Sequence, residues 1–139
     1  MSVKNQIKEY LAGLPEAKRA DMDLLHKTIL DLNPSGKLWF LDGKDENKKT
    51  VTNPNIGYGE YTIQYADGKT KKFYQVGLSA NTSGISVYIM GLPDKHYLSK
   101  TYGEKIGKAS VSGYCIKFKA VKDVEVDVLK EAIVDRFGR

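Results

Sequence analysis

The sequence predicts an α+β fold: a single antiparallel sheet of about four to five strands with helices packed on one face, two N-terminal helices and one C-terminal helix. Three observations carry this. Apolar residues recur at helical spacing over residues 3–32 and again towards the end of the chain. From Glu60 onward the apolar spacing switches to two. The connections between the alternating runs are short, which makes consecutive strands antiparallel neighbours rather than parallel crossovers.

Val3, Ile7, Tyr10, Leu11 and Leu14 define the first helix, over residues 3–13. Pro15 fits the first position of a second helix, with Glu16 in its first turn. Met22, Leu25, Ile29 and Leu32 form its apolar seam, and Asn33-Pro34 ends it. "KLWFL", 37–41, reads as a short strand or buried connector, and "DGKDENKKT" as a charged loop. Tyr61, Ile63 and Tyr65 alternate with polar residues up to Asp67-Gly68, a strong hairpin turn signal. The return strand is expected over 71–79, a further strand over 85–90, and a short helix from Leu92-Pro93-Asp94 to Gly103. "GYCIKFK" forms the last strand, with Tyr114, Ile116 and Phe118 on one face and Cys115, Lys117 and Lys119 on the other. Val126, Leu129, Ile133 and Phe137 make the seam of the final helix, with Asp123, Glu125 and Asp127 at its N-terminal end.

The 139 residues suit one domain, 1–139, with one core. No apolar run reaches the ~20 residues of a membrane span, and the start lacks the apolar core of a signal peptide, so a cytoplasmic protein is expected. One cysteine excludes an internal disulfide framework and a multi-cysteine zinc site. The net charge of +5 suggests nucleic acid, but the cations argue against it. Only Arg19, Arg136 and Arg139 are arginines, and the lysines are scattered point charges of a solvated surface.

"NIGYGEYTI", 55–63, comes close to the RNA-stacking strand of an RRM. Ile56 stands where a basic residue belongs, Glu60 takes a base-stacking position, and two helices precede the sheet. Gly57-Tyr58-Gly59 therefore reads as a glycine-permitted turn with Tyr58 packed inward at the entrance of the sheet and at least one of the two glycines at positive φ.

His26 and His96 form no paired metal motif and read as structural or surface residues. Cys115 is the only strong nucleophile candidate; the neighbouring Lys117 and Lys119 would favour its thiolate, but no base or orienting group accompanies it. No catalytic constellation is visible, no cofactor is expected, and the chain reads as non-enzymatic. Tyr61, Tyr65, Tyr74 and Tyr114 fall on core-facing registers. Tyr88 shares the second sheet face with Met90, Gln64, Gln75, Ser79 and Cys115, a mixed face suited to a small ligand or a protein partner.

"YLAGLPEAKRADMDLLHKTI", "IGYGEYTIQY", "QVGLSANTSGISVYIMGL" and "YGEKIGKASVSGYCIKFKAVKDVEVDVLKEAI" together resemble the bacterial YdhG-like family, a domain of unknown function. The resemblance runs from about Val3 to Phe137. It implies a small α+β sheet-and-helix domain and no established catalytic residues. Some of that family is linked to frataxin-like iron handling, which implies weak iron binding through carboxylates. Here these would be Asp21, Asp23, Asp123, Glu125 and Asp127, although the basic first helices depart from an acidic ridge. Nucleic-acid binding is the remaining alternative function.

Overall fold

Two apolar stripes at the N-terminus begin the core. Helix α1 (Val3–Ala12) starts at Ser2, whose hydroxyl accepts the Asn5 N–H, and buries Ile7 and Leu11. Pro15 stands one residue earlier than expected, as an extended residue capping α2 (Glu16–Leu32). Met22, Leu25 and Ile29, spaced three and four apart, are its buried stripe. Asn33 closes it, and Pro34 cannot continue it. The computed structural model describes residues 2–139.

The strands are β1 (Leu38–Leu41), β2 (Asn55–Tyr58), β3 (Tyr61–Gln64), β4 (Thr70–Phe73), β5 (Val76–Asn81), β6 (Gly84–Ile89), β7 (Ser110–Val111) and β8 (Cys115–Phe118). Six of them form one antiparallel sheet in the order β1-β2-β5-β6-β8-β7, while β3 and β4 pair separately. Helices α3 (Tyr97–Tyr102) and α4 (Val126–Phe137) follow β6 and β8, with a 3-10 turn at Val121–Asp123 before α4. The fold is α+β, as expected. The single sheet of four to five strands is corrected to a six-stranded sheet plus a two-stranded arm.

The physical reason lies in one bend. Gly59 has φ +78°, a value that an L side chain rarely adopts. Opposite it, the expected return strand 71–79 breaks at Tyr74 and Gln75. The segments 55–64 and 70–81 thus make one long hairpin folded over at mid-length. Its base, β2 and β5, joins the sheet, and its tip, β3 and β4, projects as an arm. The bend is held by Gln75 N–H donating to Tyr58 O at 3.0 Å and by Trp39 Nε1–H donating to Gly59 O at 2.7 Å.

Gly57 lies within β2 rather than in a turn before the strand. It pairs with Gly77 across the sheet, and the Tyr74 ring lies flat over both. A Cβ on Gly57 would meet that ring at 2.5 Å, and one on Gly77 at 2.6 Å. Tyr74 is therefore buried, but on the sheet face away from the helices. Tyr65 and Tyr114, expected in the core, are exposed. Tyr65 lies beyond the bend, where the arm has left the core. Tyr114 precedes β8 and stacks on Tyr88, with ring centroids 6.2 Å apart. Tyr61 is half-buried beneath the Arg136 guanidinium, 4.9 Å from its ring.

The helix-facing side of the sheet carries Ile56, Tyr58, Leu78, Val87, Ile89 and Ile116, packed against the seams of α1, α2 and α4. Burying this apolar surface is the main term that stabilises the fold. Arg136 is also buried; its Nε donates to Met90 O and ties α4 to the base of the arm. Tyr97 and Tyr102 both donate to Asp135, joining α3 to α4. No helix among the described residues is long and apolar enough to cross a membrane.

A Cβ at position 59 would fall 2.2 Å from Gln75 Oε1, whereas one at Gly68 (φ +87°) meets open space. Gly59→Ala is expected to cost about 2 kcal/mol or more, combining strain and overlap, and Gly68→Ala about 1 kcal/mol from strain alone. Urea midpoints of the two variants test this; equal losses would mean that the bend carries no packing constraint.

Candidate functional site

A cleft of about 770 Å³ opens on the helix side between the start of α1, the C-terminal half of α2 and β1. Val3, Ile7, Leu30 and Leu38 give it apolar walls, and Lys4 and Asp31 stand among its lining residues. The helical repeat sets this up. His26 and Leu30 are four apart on α2 and Val3 and Ile7 four apart on α1, so each pair lines one wall.

His26 is the part-buried polar group in this lining, beside the apolar walls. Its Nδ1 lies 2.8 Å from the hydroxyl of Tyr58, which the Gly59 bend holds inward, only 3 % exposed. His26 is the one hydrogen-bond partner of that phenol among the described residues. A buried phenol proton needs an acceptor, so Tyr58 donates and Nδ1 accepts. The imidazole then carries its proton on Nε2, which has no protein partner among the described residues. Burial pushes the His26 pKa below its ordinary 6.5, only partly offset by Asp23. Burial likewise pushes the Tyr58 phenol well above 10.0, and Tyr10 adds to this. The pair is neutral at neutral pH: a fixed N–H donor beside apolar walls.

The face expected from the sequence is assembled only in part. Tyr88, Ser79 and Cys115 do share the sheet face away from the helices, where Tyr88 pairs with Cys115. Ser79 is buried, its hydroxyl donating to Pro54 O at 2.6 Å. Gln64 sits out on the arm in β3, and Gln75 is held in the bend. Met90 follows β6 and is bound through its backbone, its N–H to Gln75 O and its carbonyl to Arg136. The bend separates residues that strand alternation alone would align.

Cys115 is 2 % exposed. Burial raises its thiol pKa, outweighing the lowering effects of Ser86 and Lys117. The expected activation by lysine is corrected: Lys117 points the same way but reaches solvent, while the sulfur stays in the sheet surface. His96 is exposed at the start of α3.

The five carboxylates of the iron alternative do not converge. Asp21 accepts the Val121 N–H at 3.1 Å, which fixes the 3-10 turn against α2. Asp123 belongs to that turn, Glu125 caps α4, and Asp127 lies in its first turn. Among the described residues, no group of three or more His, Cys, Asp or Glu side chains could hold a metal ion.

Sequence reasoning passed over the cleft. Its signal was present as His26 beside the α2 seam and Tyr58 between two glycines, but 32 residues separate them, and only the packing joins them. Comparisons with protein-family models, curated proteins and solved structures found no match.

Two outcomes are expected. Because the folded-state pKa of His26 is depressed, the unfolded chain binds this proton first as pH falls. The contribution of His26 is complete above about pH 6.5 and is lost as pH drops through the folded-state value. Tyr58→Phe should cost about 1 kcal/mol at neutral pH, and His26→Phe, which removes the titrating group, should flatten this fall, as read by chemical denaturation at several pH values. Cys115 should react slowly with a thiol reagent in the native protein and rapidly in urea; fast native labelling would contradict its burial.

Proposed function

We propose that this domain binds a small amphipathic molecule without transforming it, in the cleft between α1, α2 and β1. The ligand has an apolar body and a carbonyl or carboxylate oxygen. The observation that carries the reading is the Tyr58–His26 pair, which offers one fixed Nε2–H donor beside apolar walls. Few polar groups among many apolar ones is the usual make-up of a small-molecule site. Lys4 and Asp31 both stand in the lining, so the cleft has no net charge preference and the His26 donor suits a neutral carbonyl or a carboxylate oxygen alike.

Binding is favoured over catalysis because no nucleophile accompanies His26. Its one side-chain partner is the un-ionised Tyr58 phenol, and Cys115 faces the opposite side of the sheet. Membership of the YdhG-like family is part of the same proposal. It is supported by Gly57-Tyr58-Gly59 and the motifs flanking β5, β6 and β8, and it assigns no residue a role. A cytoplasmic setting is proposed with it.

A panel of medium-chain fatty acids, their amides and aromatic carboxylates tests the reading by thermal shift and by NMR. Members that bind should raise Tm, since ligands of the native state raise apparent stability, and should shift the His26 Nε2 resonance. His26→Phe should weaken them about tenfold, the order of one lost hydrogen bond. Leu30→Trp, which fills the cleft, should abolish binding. Failure of every member at millimolar concentration, or turnover that disappears in His26→Phe, would sink the proposal.

A further inference from the structure

The six-stranded sheet has a second candidate surface on the face away from the helices, distinct from the cleft. At its β7–β8 side lies an open groove of about 460 Å³ beside the β5–β6 turn. Lys108, Lys117 and Lys119 line it, and no carboxylate does. All three lysines are exposed, and none is in an ion pair among the described residues. They come from two neighbouring segments of the chain. Lys117 and Lys119 project from β8 and the residue after it, and Lys108 from the segment that leads into β7.

The groove continues into an aromatic surface. Ser86 pairs with Lys117, and Tyr88 with Cys115. Tyr88 and Lys117 therefore share a face, two residues apart along their strands, or about 7 Å. Tyr114 lies almost parallel to Tyr88, at 14°, and is 55 % exposed. Beyond Tyr114 the chain at Gly113 abuts the backbone of Lys95, whose side chain is also exposed. The neighbouring carboxylate, Asp94, accepts the His96 N–H. Lysines thus lie along one track with an exposed ring, Tyr114, stacked on the half-buried Tyr88.

We propose that this track binds single-stranded nucleic acid, with Lys108, Lys117 and Lys119 contacting successive phosphates and Tyr114, backed by Tyr88, stacking on a base. The charge is complementary to a phosphate chain, and an exposed ring needs an unpaired base to stack on, which a duplex does not offer. Lysines read no base edges with a planar fork, so binding is tolerant of sequence. The sequence argued against nucleic acid because its cations are nearly all lysines in small scattered groups; the β8 register and the approach to β7 add Lys108 to the Lys117-Lys119 group in one groove.

Fluorescence anisotropy with a labelled oligothymidylate of about a dozen nucleotides tests the proposal. Three phosphate contacts to a single strand predict that log affinity falls with log salt at a slope of roughly −2. The combined variant Lys108→Ala, Lys117→Ala, Lys119→Ala should bind at least about tenfold more weakly and lose most of that slope. Tyr114→Ala should weaken oligothymidylate about tenfold while leaving linear polyphosphate unaffected. These side chains are exposed, so thermal melts should confirm that the variants are folded, and His26→Phe should bind like the unsubstituted protein. Three results would each overturn the proposal: no binding at about 20 mM salt, polyphosphate bound as tightly as oligothymidylate with no effect of Tyr114→Ala, or preference for duplex DNA or anionic lipid vesicles.

Discussion

At Gly59 a long hairpin turns out of the plane of its own sheet, and the positions of several distant groups follow from that turn. Positive φ lets the chain bend without a Cβ meeting Gln75. The residue before it, Tyr58, stays in the sheet register and points into the core, so its hydroxyl meets His26 on α2. The residues after it, Tyr61 onward, leave the core and form an arm, with the Tyr61 ring against the guanidinium of Arg136. Arg136 in turn donates to the carbonyl of Met90. One backbone torsion therefore bears on the Tyr58–His26 contact, the course of the arm and the docking of the end of α4.

The two faces of the sheet are built by different physics. Towards the helices, aliphatic side chains interlock and exclude water, and the polar Tyr58–His26 pair is tolerated there because its buried hydrogen bond is made. On the other face the Gly57–Gly77 pair leaves a hollow that the Tyr74 ring fills, stacked on Phe73 at 4.1 Å. Small side chains next to it, Ser79 and Ser86, stay buried among larger neighbours. That face is thus closed over β2 and β5 and becomes open and cationic only towards β7.

Chemistry follows from these environments. Burial keeps Cys115 as the un-ionised thiol, its less nucleophilic form, and keeps His26 uncharged with its Nδ1 taken up by the Tyr58 hydroxyl. They also lie on opposite sides of the sheet, too far apart to act on one substrate. What the two surfaces offer differs accordingly: a neutral donor beside apolar walls on one side, and positive charge beside an aromatic pair on the other.

The sequence by itself determined the α+β class, the two leading helices and the last one, the Asp67-Gly68 turn, and the inward burial of Tyr58 with a positive-φ glycine beside it. All of these are local: a hydrophobic period, a turn dipeptide, or a glycine next to a bulky ring is expressed within a few residues. Tertiary structure alone decided that the strand expected at 71–79 splits into β4 and β5. The alternation of its residues is unbroken through Tyr74 and Gln75, and the break is imposed from the opposite strand. The same lack of a local signal hid the exposure of Tyr114 and the burial of Cys115, because period two names a face without saying what covers it. It also hid the meeting of His26 with Tyr58, 32 residues apart and joined only by packing, and of Lys108 with Lys117 and Lys119, which the turn between β7 and β8 folds into one groove.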